Sequence, residues 1–174
     1  MSRLALGIDP GPTNCGWAIL DMGGRKPSWV DGGVCTPAEV TDVLDRFDGT
    51  ASPATCICAV EVPVAVHKPE AMVQVVQTAV CAGALIERCC QRGYRVVQTS
   101  PAAWQTALIG RPQKGQNRDK IVEIELRCRL EVLPRTNGHA RDAAGIALHG
   151  WALASRSNTN GADALMSVFG LRRA

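Results

Sequence analysis

"LALGIDPGPTNCGWAIL", residues 4–20, decides how the chain begins. Its first residues alternate loosely, and the run stops at Pro10-Gly11, a dipeptide that breaks a strand. "GWAILD" resumes the pattern, and "PSWVDGGVC" repeats it after the Gly23-Gly24 turn signal. Three strands in succession, joined by tight turns, predict an antiparallel meander. Asp9 stands where the first strand meets its turn, and a carboxylate there needs a reason.

"TPAEVTDVLDRF" predicts a helix with Thr36 as N-cap, Pro37 at the first helical position and Glu39 completing a capping box. "TCICAVEV" has the composition of a strand buried on both faces in a parallel arrangement, and it leads to a second carboxylate, Glu61. Helical spacing over residues 69–92, followed by "GYRVVQTS", completes a β-α-β unit. Helices are expected over "SPAAWQTALIG", "RDKIVEIELRCRLE" and "GHARDAAGIALHGWALAS", with "RPQKGQN" as a polar basic loop between the first two. The order β-β-β-α-β-α-β-α-α-α specifies an α/β domain with a mixed sheet, three antiparallel strands and then parallel ones, and helices on both faces. Open sheets of this kind bind ligands near the carboxyl ends of their strands. We assign residues 1–156 to this domain and 157–174, which start with a linker composition, to a C-terminal tail.

The bulk numbers agree with one domain: 174 residues, 46% hydrophobic and 20% charged, are enough to bury a core without staples. No uninterrupted apolar run reaches the roughly 18 residues that span a bilayer, so no membrane is expected. The N-terminus does not resemble a secretory signal, which predicts a cytoplasmic protein with reduced thiols. Its eight cysteines (Cys15, Cys35, Cys56, Cys58, Cys81, Cys89, Cys90 and Cys128) contain no C-x-x-C pair. They are expected to be small buried fillers rather than a metal or disulfide framework. Residues 1–60 carry four Lys/Arg against seven Asp/Glu, and residues 61–174 carry fifteen against nine. The basic larger part suits a polyanionic partner.

Asp9, Glu61 and Asp142 break the apolar pattern at element ends, and His139 lies three residues before Asp142. Helix positions three apart share a face, so His139 and Asp142 can point at one site. Carboxylates brought together repel one another unless a cation neutralises them. Hard oxygen ligands with open positions suit Mg²⁺ or Mn²⁺ together with phosphate oxygens. Two such ions about 4 Å apart can drive an in-line displacement at a phosphate ester, which is nuclease chemistry.

These residues resemble the RuvC Holliday-junction resolvases, which have a ribonuclease-H-like fold. "LGIDPGPTNCGWAIL" is similar to the family's opening motif, and "AVEVPVAVHKPEAMVQVVQTAVCAGALI" to its second acidic strand, loop and helix. "TSPAAWQTALIG", "RDKIVEIELRCRL" and "LPRTNGHARDAAGIALHG" follow in the family's order. The resemblance covers about residues 4–150 and implies a metal-binding catalytic tetrad of Asp9, Glu61, His139 and Asp142. His139 would either ligate the second ion or take a proton from the attacking water. Lys120 matches the family's helix lysine, placed to hold the scissile phosphate. The resemblance further implies two Mg²⁺ ions per site, with Mn²⁺ able to substitute. It implies a homodimer that nicks opposed strands of a four-way junction in recombination and repair, leaving 5′-phosphate and 3′-hydroxyl ends. The helix at 69–92 is the expected dimer surface, and branch-migration proteins are possible further partners.

Two positions depart from the family pattern: Val64 stands where a wedge aromatic is common, and Trp104 where a second lysine is. Arg111, Lys114 and Arg118, in the basic "GRPQKGQNRDK" stretch, are expected to grip DNA phosphates alongside Lys120. The weakened wedge and lysine positions leave two rivals: a nuclease for flaps, forks or three-way junctions, and a non-catalytic junction binder. An actin-like ATPase would use "GIDPGPTN" as a phosphate loop, but the second glycine-rich motif it needs is missing.

Overall fold

Five strands form one sheet in the order β3-β2-β1-β4-β5. The computed structural model describes residues 3–49, 52–53, 55–64, 69–111 and 115–158. In chain order the elements are β1 (Leu4–Asp9), β2 (Cys15–Asp21), β3 (Ser28–Cys35), α1 (Val40–Asp48), β4 (Ile57–Glu61), α2 (Pro69–Gln91), β5 (Arg95–Thr99), α3 (Pro101–Ile109), α4 (Arg118–Arg129) and α5 (Gly138–Asn158). This is the predicted order. β1, β2 and β3 pair antiparallel, while β4 runs parallel to both β1 and β5. The connections into β4 and β5 therefore need crossovers, which α1 and α2 supply.

Period-two alternation sorts the strands into two cores. Leu4, Leu6, Ile8, Cys58 and Val60 join Val40, Leu44 and Phe47 of α1 and Leu85 and Cys89 of α2 on one face. Ala5, Ala18, Leu20, Ile57 and Ala59 meet Trp104 and Leu108 of α3, Val122 and Leu126 of α4, and Ala143, Ile146 and Ala147 of α5 on the other. Helices thus cover both faces, as expected.

Differences from the expectation lie at element ends. Regular α1 starts at Val40, because Thr36–Glu39 close a tighter turn in which Glu39 N–H donates to the Thr36 carbonyl at 3.1 Å. The capping-box side chains still meet: Thr36 N–H donates to Glu39 Oε2 at 2.7 Å. α5 continues to Asn158, past the boundary drawn at 156, and residues 159–174 of the expected tail lie outside the described residues. The cysteines are all free, and Cys15, Cys56, Cys58 and Cys89 are buried fillers as expected. Cys90 and Cys128 are exposed, a correction to that expectation, because each lies on the outward side of a helix that buries only one stripe.

α2 needs separate mention. Ala71–Gln91 is long and apolar enough to cross a membrane by length and composition, and only 17% of that stretch is buried. Its inner stripe nonetheless packs on the sheet through Ala82, Leu85 and Cys89. Its other side leaves Val73 67%, Val76 53% and Val80 69% exposed.

Candidate active site

Asp9 is the last residue of β1 and Glu61 the last of β4. By alternation Asp9 shares the face of Ala5, and Glu61 that of Ile57 and Ala59, so both carboxylates point toward the α5 side. The parallel register pairs Ile8 with Val60. The two acids are next in line at the same carboxyl end of neighbouring strands.

α5 reaches that end because two strand glycines let it. A Cβ on Gly16, the β2 partner of Asp9, would sit 2.3 Å from the His139 carbonyl oxygen, and one on Gly7 would sit 1.9 Å from the Ala143 oxygen. The first turn of α5 is capped by Asn137, whose Oδ1 accepts from Ala140 N–H at 2.9 Å. There His139 Nδ1 pairs with Asp9 Oδ2 at 2.8 Å.

Two further side chains complete the cluster. Trp104, fully buried on α3, donates its indole N–H to Glu61 Oε2 at 2.5 Å. Ser100 caps α3 by accepting from Ala103 N–H, and the Trp104 ring fills the space over Gly145, where a Cβ would come within 2.7 Å. Arg118, at the start of α4, donates from Nη2 to Asp142 Oδ2 at 2.8 Å, and its guanidinium lies 5.4 Å from the Trp104 ring centroid. α4 and α5 are tied a turn further along by Arg141, which donates to Glu123.

Burial is the main reason the site's carboxyls are hard to ionise. It pushes Glu61 up to about 7, against the Trp104 hydrogen bond and with added repulsion from Asp9 and Asp142. Asp9 and Asp142 are raised for the same reason, with His139 and Arg118 respectively opposing the shift. The three acids feel each other's charge and lack full compensation.

The structure therefore brings together Asp9, Glu61, His139 and Asp142, and adds Arg118, which was expected on the DNA-gripping loop. Lys120 does not join them: its side chain is exposed and makes no hydrogen bond or ion pair among the described residues. Arg111 is exposed where the basic loop begins, and Lys114 lies outside the described residues. Trp104 was read only as a departure. No sequence signal marks a helix tryptophan as a carboxylate donor rather than a core filler. Among the described residues, no three His, Cys, Asp or Glu side chains are close enough to clasp a metal ion as they stand.

A family model described as crossover junction endodeoxyribonuclease RuvC matches residues 5–149. No curated protein matches the sequence. Among solved structures, that of Thermus thermophilus RuvC in complex with Holliday junction substrate shares 25% identity at a TM-score of 0.65, covering 88% of this chain and 96% of that one. A second Thermus thermophilus RuvC structure shares 26% identity at a TM-score of 0.64, covering 90% of this chain and 97% of that one.

Proposed function

We propose a function from the premise that this chain belongs to the RuvC family of crossover junction endodeoxyribonucleases. It is an endonuclease that resolves Holliday junctions, and Asp9, Glu61, His139 and Asp142 form its nicking site. The observation that carries the site assignment is the meeting of Asp9, Glu61 and Asp142 at one end of the sheet, half-buried and with their carboxyls all hard to ionise. Buried structural acids are normally paired until their charge is compensated.

The donors fit a divalent cation in kind. Three hard carboxylates would hold Mg²⁺, with Mn²⁺ as a substitute and two ions per site. When bound, the metal supplies Lewis-acid activation of water and charge neutralisation at the phosphate. In spacing the donors do not close on an ion among the described residues, and Trp104 holds Glu61 while Arg118 holds Asp142.

The protein's own part is orientation and proton handling. Asp9 fixes the His139 ring through Nδ1, leaving a side chain that is 58% exposed and able to take the proton of the attacking water. Water adds to phosphorus and the 3′ oxygen leaves, giving 5′-phosphate and 3′-hydroxyl ends. Lys120, exposed on the first turn of α4, is our candidate for a DNA phosphate, together with the exposed Arg111 and, by its place in the sequence alone, Lys114.

Symmetric paired nicks need two sites related by a two-fold axis, hence a homodimer. The exposed stripe Met72, Val73, Val76 and Val80 on α2 supports that face as the interface. Branch-migration proteins are further candidate partners, and the cytoplasm the candidate compartment. Val64, 54% exposed just past Glu61, lacks an aromatic ring to wedge into a junction, which favours other branched DNA as a second reading. The test is Asp9→Asn assayed on four-way, three-way, flap and linear DNA with Mg²⁺. Cleavage of the four-way substrate should vanish while binding persists; a D9N protein that still cuts would remove the assignment.

A further inference from the structure

We propose that Arg118 is a displaceable cation built into the carboxylate site. It neutralises Asp142 while no metal is bound, and passes to a DNA phosphate when metal takes its place. The proposal rests on the assignment of Asp142 as a metal ligand.

A guanidinium offers five N–H donors, and Arg118 has four of them engaged within the protein. Nη2 donates to Asp142 Oδ2 at 2.8 Å, and Nη1 to Asp119 Oδ1 at 3.0 Å. With its oxygen turned inward, the Gln105 amide accepts from Nη2 at 2.7 Å and from Nε at 3.2 Å. The Trp104 ring supplies a platform at 5.4 Å, and the side chain is only 34% exposed. This is a seat shaped for a planar cation, unlike the exposed, unengaged side chain of Lys120.

A divalent ion seated on Asp142 Oδ2 would take the oxygen that Arg118 now holds. Arg118 and the ion would compete for the same carboxylate, and their like charges repel at close range in a half-buried site. Metal binding at that oxygen would release Arg118 from Asp142. Its new position is set by what surrounds it: Arg118 opens α4 directly after the basic stretch of sequence, two residues before the exposed Lys120. A released guanidinium there meets phosphate, which it can bind with the same planar fork it used for Asp142.

Trp104 couples the two events. Its indole N–H holds Glu61 while its ring lies against Arg118, so one buried side chain positions both a carboxylate of the site and the cation that competes with metal. In the metal-free site Asp142 is thereby paired and Glu61 held.

The experiment is calorimetric titration of Mn²⁺ into the full chain without DNA, for wild type, Arg118→Gln, Arg118→Lys and Asp142→Asn, with single-turnover junction cleavage at saturating Mn²⁺ alongside. R118Q should bind Mn²⁺ about tenfold more tightly, the scale of one charge-assisted hydrogen bond released, while cleaving more slowly. R118K, which keeps the charge but not the fork, should fall between. R118Q leaves Asp142 unpaired and is expected to melt somewhat below wild type, so melting curves are recorded alongside and R118K, which keeps the charge, serves as the folded control. Unchanged or weaker Mn²⁺ binding by R118Q overturns the competition, and unchanged cleavage overturns the transfer to phosphate. D142N distinguishes the levels. If it binds Mn²⁺ as wild type does, the metal-site assignment itself fails; if it loses Mn²⁺ while R118Q is unaltered, only the present proposal fails.

Discussion

The two faces of the sheet are closed by opposite means. On the α5 side, backbone comes close: Gly7 and Gly16 of the strands face the Ala143 and His139 carbonyls, and Gly150 presses on the Ala59 methyl, with no room for a Cβ at any of the three. On the α2 side, closure is by ordinary side chains such as Leu85 and Phe47, and the outer stripe of α2 is left bare. The contrast separates two tasks. Where residues from β1, β4 and α5 must hold carboxylates in register, the helix is seated by contacts that allow almost no slip. On the other face an apolar stripe is left open.

The largest expected effect breaks the tight side. Gly7→Ala would put a methyl 1.9 Å from the Ala143 oxygen, which neither backbone can relieve without moving α5. Overpacking of this kind typically costs 1–3 kcal/mol, and against two backbones we expect about 3 kcal/mol or more, read by chemical denaturation. A G7A protein as stable as wild type would mean α5 is not seated as described.

That seating also explains what the sequence revealed and what it hid. Turn dipeptides and hydrophobic periodicity are local, so the element order was legible, as was the pairing of Ser100 with Ala103 N–H at the start of α3. Asp9 and Glu61 were legible as charges ending apolar strands. Their adjacency follows from the parallel register of β1 and β4, a long-range fact. Arg118 and Trp104 were hidden for the same reason: an arginine beside a basic loop looks like a phosphate contact, and only the packing of α3 against α4 turns it inward onto Asp142. Gly16 was equally mute, since its role depends on which helix crosses it.

A middle-sized effect probes the charge held at the tight side. Glu61 titrates near 4.5 when unfolded and at about 7 when folded without metal, chiefly because it is buried. A raised folded value stabilises while the group is protonated. This contribution is therefore full below pH 4.5 and lost as pH rises through 7. After discounting for partial exposure, it is on the order of 2 kcal/mol. The melting temperature of metal-free protein should fall across that window, and Glu61→Gln should flatten the fall. A wild-type curve that is level from pH 5 to 7.5 would show that Glu61 is not held in this way.

The smallest effect on the fold itself belongs to the open side, and there the comparison can be made sharpest. Val80 is 69% exposed on α2, so Val80→Asp should change the stability of an isolated chain by no more than about 0.5 kcal/mol. If α2 is a two-fold interface, the same substitution enters it twice. Losing two buried valines, each contributing about 1.5 kcal/mol or more, weakens association roughly a hundredfold before the burial of two charges is added. Sedimentation should then find a folded monomer where wild type is a dimer, and junction cleavage should give single nicks in place of paired ones. A V80D protein that remains dimeric would place the interface elsewhere and leave the bare stripe of α2 without an occupant. A V80D protein that unfolds would show that the two faces are not separable, since a change at a site exposed in the single chain would then cost as much as one pressed against Ala143.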